Sequence, residues 1–237
     1  MAKIWQLSAN YSGVDVKGTI NGFPVFDGAT AGSGESGFAT APLNPFLIGK
    51  GNVLRIEVTA KADGGKLSCS VEDAMTGDIV DTGNAAEIPL PDGDPPHVIE
   101  QTFDSEMDGF AKLLAEAKPS DEASMVAFAL KLRDMLNAGD KDGVLALFKP
   151  KFEAISADFG QPIDMIMGQA GQMVEAFTSA KHEFESGDVD ARPHCDNKLW
   201  ELKHKNGHAL IRIEEDGGSM SLDVCAAQMP GGIEIVR

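Results

Sequence analysis

The hydrophobic pattern changes period near residue 100, and this constrains the fold more than any motif does. Before that point apolar residues recur at every second position among many Gly and Pro. After it they recur at threes and fours, then return to alternation. The change predicts a two-domain chain: an all-β unit over residues 1–103, then an α+β unit over 104–237. At 237 residues and 43% hydrophobic content, the chain is long enough for two ordinary cores.

The formal net charge is -17, and the first hundred residues carry 13 acids against 6 bases. Such a surface repels phosphates and anionic headgroups. It therefore disfavours nucleic acid and membrane as charge-driven partners and leaves room for a basic protein, although interspersed Asp and Glu also serve simply to keep a protein soluble. Cys69, Cys195 and Cys225 are odd in number, far apart and in no CxxC arrangement, so neither a disulfide framework nor a zinc module is expected. No apolar run is long enough for a signal sequence or a membrane span, which predicts a soluble, cytoplasmic protein.

In the first unit Trp5, Leu7, Ala9 and Tyr11 share one face of a first strand, and Val14, Val16 and Ile20 share one face of a second. Asn21-Gly22 turns the chain into Phe23-Pro24-Val25-Phe26, because both turn residues tolerate positive φ. Leu54, Ile56 and Val58 form the inward set of a later strand whose outward set is Arg55, Glu57 and Thr59. Leu67, Cys69 and Val71 repeat the pattern. Short strands separated by Gly-rich turns predict a β-sandwich. The segment Gly32-Ser33-Gly34-Glu35-Ser36-Gly37 spells GxGxxG, but Pro42 and Pro45 follow it and the next periodic segment is a strand. It is expected to be a connector rather than a phosphate loop.

The run Asn44-Pro45-Phe46-Leu47-Ile48-Gly49-Lys50-Gly51-Asn52, leading into the alternation from Val53 to Val58 and preceded by Ile20-Asn21-Gly22-Phe23-Pro24-Val25, resembles the galactose-binding-like jelly rolls that accompany many sugar-processing enzymes. The resemblance implies a jelly-roll sandwich. Its matching positions are turn and core residues, so no ligand site carries over. Trp5 and Tyr11 lie in an apolar alternation and are expected in the core rather than as exposed platforms for sugar rings.

Pro89, Pro91, Pro95 and Pro96 precede Val98-Ile99-Glu100-Gln101-Thr102-Phe103, the expected last strand of the first unit. Asp104 or Ser105 is expected to cap a helix presenting Met107, Phe110, Ala111 and Leu114 and ended by Pro119. Ser120 caps the next, which carries Met125, Phe128, Ala129, Leu132, Met135 and Leu136 on one stripe and stops at Gly139. Asp140 starts a short piece with Val144, Leu147 and Phe148, halted by Pro150. A longer helix begins at Pro162 and buries Ile163, Ile166, Met167, Ala170, Val174 and Phe177. Met165, Met167 and Met173 are expected as core filler.

From Lys181 the period returns to two. A two-residue Asn206-Gly207 loop pairs Lys205 with His208 and Glu201 with Arg212. That register places Trp200, Leu202, His204, Ala209, Ile211 and Ile213 on an apolar face and Glu201, Lys203, Lys205, His208, Leu210 and Arg212 on the other. His204 and His208 then point to opposite sides and cannot share a metal ion. The segment His194-Cys195-Asp196 is expected at an edge or turn. Asp216-Gly217-Gly218 leads into Met220, Leu222, Val224 and Ala226, and Ile233-Glu234-Ile235-Val236 forms a last strand.

Helices followed by a curved antiparallel sheet, with Leu136-Asn137-Ala138-Gly139-Asp140-Lys141-Asp142-Gly143 joining the helices and a tryptophan-hairpin-strand ending, resemble the nuclear-transport-factor-like or steroid-isomerase-like α+β cone. That superfamily contains enzymes, small-molecule binders and assembly domains. The resemblance implies a cone interior, with Phe177, Trp200, Ile211 and Leu222 expected to line and fill it. In a cone pocket His182 and His204 are the candidate bases, and Asp164 is the candidate orienting carboxylate. The chain supplies no recognisable catalytic signature at those positions. The expectation is therefore a noncatalytic binding or assembly protein with no metal and no cofactor, forming a homodimer through the C-terminal sheet and contacting another protein through the sandwich. Alternatives are an acidic neutraliser of a basic toxin or nuclease, and an isomerase- or dehydratase-type enzyme or ligand binder using the cone pocket.

Overall fold

The structure, a computed structural model, describes residues 3–74, 90–106, 108–215 and 218–237. Pro89, Met107, Asp216 and Gly217 lie outside the described residues. The chain divides into two compact units, Met1–Ala111 and Lys112–Arg237. The first is strand-rich; the second combines helices with antiparallel sheet.

The first unit holds β1 (Trp5–Ile20), β2 (Phe23–Ala29), β3 (Ser36–Pro42), a 3-10 turn over Asn44–Phe46, β4 (Asn52–Asp73) and β5 (His97–Phe103). All five strands belong to one antiparallel sheet in the order β2-β1-β4-β5, with β3 also on β1. The two short strands expected over residues 5–20 are one long strand. In β1 the buried set passes from Trp5, Leu7 and Ala9 to Val14, Val16 and Ile20. This change of parity coincides with register shifts after Ser12 and Asp15 and with Gly13 at φ +61°. One extra residue flips every later side chain to the other face. β4 makes the matching change, burying Leu54, Ile56 and Val58 and then Leu67, Cys69 and Val71, all within 1% of complete burial.

The Asn21-Gly22 turn forms as expected, with φ +49° and +81° and Ile20 paired with Phe23. The Gly-rich segment opens no helix: Gly37 lies inside β3 opposite Tyr11. A side chain at Gly37 would meet the Tyr11 ring at 2.1 Å, and one at Gly28 would meet it at 2.3 Å. These glycines make room for an aromatic cover. The Tyr11 ring is half-buried and stacked on Phe26 with centroids 6.3 Å apart.

Residues 104–106 belong with the first unit, beyond the expected boundary at 103. Asp104 accepts from the Gly51 N–H (2.8 Å), the Ser105 N–H donates to the Gly49 carbonyl (2.6 Å), and Glu106 accepts from Trp5 Nε1 (3.1 Å) and pairs with Lys3 (2.9 Å). Asp104 and Ser105 therefore do not cap a helix, and α1 spans Gly109–Glu116.

The second unit continues with α2 (Glu122–Asn137), α3 (Lys141–Phe159), α4 (Ile163–Thr178), β6 (Val189–His194), β7 (Leu199–His204), β8 (Ile211–Glu215), β9 (Gly218–Leu222), β10 (Val224–Met229) and β11 (Gly232–Ile235). The cap of α2 is Asp121, one residue later than expected. Its carboxylate accepts from the Ser124 N–H, while the Ser120 N–H is committed to the Asn197 carbonyl. α3 runs through Pro150 and ends at Gly160 in the left-handed region. Burial of Val144 and Phe148 before the proline and of Phe152 and Ala154 after it outweighs the lost backbone bond. The stripes on α2 and α4 bury as expected at Phe128, Leu132, Ile166 and Phe177, but Met165 is exposed.

The sheet order is β11-β10-β7-β6, with β8 and β9 paired separately. At Asn206-Gly207 the loop holds three residues instead of two. The His204 N–H donates to the His208 carbonyl (3.0 Å), the Gly207 N–H to the His204 carbonyl (2.8 Å), and Lys203 bridges Ala209. Gly207 alone takes positive φ (+87°) and Asn206 does not, which gives a turn followed by a glycine bulge. The register slips by one from the expected pairing, and Leu210 is buried instead of outward. Glu201 pairs with Cys225 and Arg192, not Arg212, because β10 and β6 occupy both edges of β7 there.

Candidate functional site

The residues expected to line a cone pocket are packed together in one core. Phe177, Trp200, Ile211 and Leu222 are 1%, 5%, 0% and 6% exposed, in a cluster that also takes Met125, Phe128 and Phe148 from the helices. The Trp200 indole N–H donates to the Asn197 carbonyl at 2.8 Å. Asn197 closes a turn in which Cys195, Asp196 and Asn197 all adopt positive φ, so the His194-Cys195-Asp196 segment ends β6 in a turn.

The three candidate polar residues have separate roles. His182 is buried, but it lies between α4 and β6 and not on the sheet face expected from alternation. Its Nε2 bonds the Phe177 carbonyl at 2.8 Å, and its backbone N–H and C=O are both held by the Asn137 carboxamide (2.8 and 2.9 Å). Asp164 is exposed in the first turn of α4. His204 is half-buried at the end of β7, its Nδ1 accepting from the Asn206 N–H at 3.3 Å.

The hairpin register sets His204 opposite His208, on the same side of the strand pair, which overturns the expectation of opposite faces. Two imidazoles are two donors. Among the described residues no group of three or more His, Cys, Asp or Glu is placed to hold a metal ion. Burial pushes the thiols up, Cys69 and Cys195 to about 12 and Cys225 to about 11, so none is a ready thiolate nucleophile.

An open cleft of about 500 Å³ lies on the first unit, lined by Lys17, Thr19, Asp27, Arg55 and Glu57 together with the apolar Pro24, Val25 and Phe26. Its geometry follows from register. Lys17 stands opposite Asp27 on one side and Glu57 on the other, and Thr19 stands opposite Arg55. Arg55 donates to Glu57 (2.9 Å) and Glu100 (2.8 Å), and these two bonds raise its pKa. The cleft is thus a ladder of alternating charges on the sheet's outer face. Arg55, Glu57 and Thr59 are legible in the sequence as an outward set. Joining them to Lys17 requires the pairing of β1 with β4, and adding Asp27 requires the Asn21-Gly22 turn that pairs β1 with β2.

Compared with models of protein families, with curated proteins and with solved structures, the chain matches none.

Proposed function

We propose that this is a noncatalytic binding protein in which the second unit is a packed scaffold and the outer sheet face of the first unit contacts another protein. The observation that carries this reading is the burial of Phe177, Trp200, Ile211 and Leu222 in one core, where a pocket enzyme needs open space. The engagement of His182 by backbone groups and the high thiol pKa values support it. The paired charges of the cleft offer directional contacts to a polar protein surface, which favours specificity over tight affinity. The free thiols, two of them buried, fit a cytoplasmic setting. Self-association is less well served by the C-terminal sheet than by this face, since Val224, Cys225, Ala226 and Ala227 of β10 are already buried on both sides.

The test compares full-length protein with a Lys17→Ala/Arg55→Ala variant in quantitative co-purification, alongside a turnover screen with small carbonyl and hydroxy compounds. Species retained by the native chain and lost from an equally stable variant support the reading. Turnover that disappears in His182→Ala or His204→Ala while the melting temperature holds would replace it with a pocket enzyme.

A further inference from the structure

The chain contains two Asn-Gly steps, Asn21-Gly22 and Asn206-Gly207, held in opposite ways. The Asn21 carboxamide is clamped: Nδ2 donates to the Phe46 carbonyl (2.7 Å) and to Asn52 Oδ1 (3.1 Å), and Oδ1 accepts from the Val53 N–H (2.9 Å). Asn206 and Gly207 are both exposed. Asn206 Oδ1 accepts from the His208 backbone N–H at 3.0 Å. That is one side-chain oxygen contact, against three carboxamide bonds at Asn21.

We propose that Asn206 is a site of spontaneous deamidation and that Asn21 is protected from it. The backbone nitrogen of Gly207 loses its proton to solvent base and bonds to Cγ of Asn206. The Cγ–Nδ2 bond breaks, ammonia leaves with a proton from solvent, and a succinimide remains. Water then opens either carbonyl, giving Asp or isoaspartate. No oxidant or cofactor is needed. Glycine suits the attack because it carries no side chain to crowd its own nitrogen and its backbone moves freely from its positive φ of +87°. The Gly207 N–H is occupied by the His204 carbonyl at 2.8 Å, so the loop must open first. Opening is local: it releases the His204–His208 bond and the Lys203–Ala209 bridge, while the Lys205 N–H remains anchored on the Asp188 carbonyl (2.8 Å). At Asn21 the same step requires three side-chain bonds to break beside the fully buried Asn52.

The experiment ages the native full chain at mildly alkaline pH and follows the two peptides by mass, with isoaspartate detected by enzymatic methylation. A parallel sample is kept in denaturant. In the native protein Asn206 should gain about one dalton roughly ten-fold or more faster than Asn21, and the ratio should collapse toward unity in denaturant, where local protection is lost. Asn206→Gln should abolish the gain in its peptide, since the longer side chain forms the ring poorly. Equal native rates at the two sites would overturn the proposal, as would an unchanged Asn206 peptide after the denatured control has converted.

Discussion

The Asn21 side chain donates to the side-chain oxygen of Asn52 at 3.1 Å, across 31 residues of chain. Asn52 is fully buried and also accepts from the Ile48 N–H while donating to the Gly49 and Phe103 carbonyls. One carboxamide therefore ties the first turn, the loop that follows the 3-10 segment and the end of β5 to the start of β4. The Asn21-Gly22 step and the Gly49-Lys50-Gly51-Asn52 run visible in the sequence meet here, as structural parts.

Replacing Asn52 by Ala should cost about 2–3 kcal/mol, because several buried backbone groups lose their partner at once. Asn52→Asp is the sharper variant. A buried carboxyl there has a folded pKa raised above its unfolded value, so the stability it retains is present at low pH and lost as pH rises through the folded pKa. Urea midpoints relative to the native protein should converge in acid and separate at neutral pH. A gap that does not vary with pH would show that the site is solvated.

The Tyr11 ring lies against both Gly28 and Gly37. A single added methyl leaves the ring an escape, but Gly28→Ala with Gly37→Ala closes both sides. The pair should destabilise by about 1–3 kcal/mol through overpacking. In a Tyr11→Ala background most of that cost should vanish, since the clash is with the ring. A penalty that persists without the ring would place its origin in the β3 backbone.

Local alternation made Leu54, Ile56, Val58, Leu67 and Val71 legible, because each inward set lies within one stretch of strand. Three features were not legible locally. Asn-Gly suits both a two-residue loop and a three-residue loop with a glycine bulge, and the choice depends on pairing outside the turn, where β6 and β10 flank β7. Pro150 signals a stop, yet core contacts on both sides of it carry α3 onward. The partner of His182 is Asn137, 45 residues away, which no short-range pattern indicates. At the cleft, Arg55 and Glu57 are visible as outward residues, while their convergence with Lys17 depends on strand order.

Pro150→Ala should raise stability by about 1–3 kcal/mol, restoring one helical N–H in the interior of α3. Thermal melting with unchanged circular dichroism checks this. A loss of stability would mean that the proline ring's own packing outweighs the recovered bond.

The thiols supply a pH window. Cys69 is pushed up to about 12 by burial, so it stays protonated in the folded chain where an unfolded thiol, with a pKa of about 8.5, has ionised. A folded pKa raised above the unfolded one means stability that is complete below about 8.5 and declines as pH rises toward the folded value. Cys69→Ala should flatten the alkaline limb of the stability profile, and native Cys69 should resist disulfide reagents at neutral pH until denaturant is added. Rapid native labelling of Cys69 would contradict its burial.

Trp200 and His182 distinguish a packed scaffold from a pocket. Trp200→Ala removes a large buried side chain and its bond to Asn197, and should cost about 3–5 kcal/mol. His182→Ala breaks the bond to the Phe177 carbonyl and should cost about 1–3 kcal/mol, so it is not silent in stability. Asn137→Ala removes the side chain that holds the His182 backbone and should reproduce much of that loss, because both variants loosen the segment between α4 and β6. Melting curves of the two single variants and the double variant measure the coupling. Less-than-additive losses identify one structural unit. Full additivity would mean that the His182 ring is stabilised independently of the Asn137 clamp, and its side chain would then merit testing in its own right.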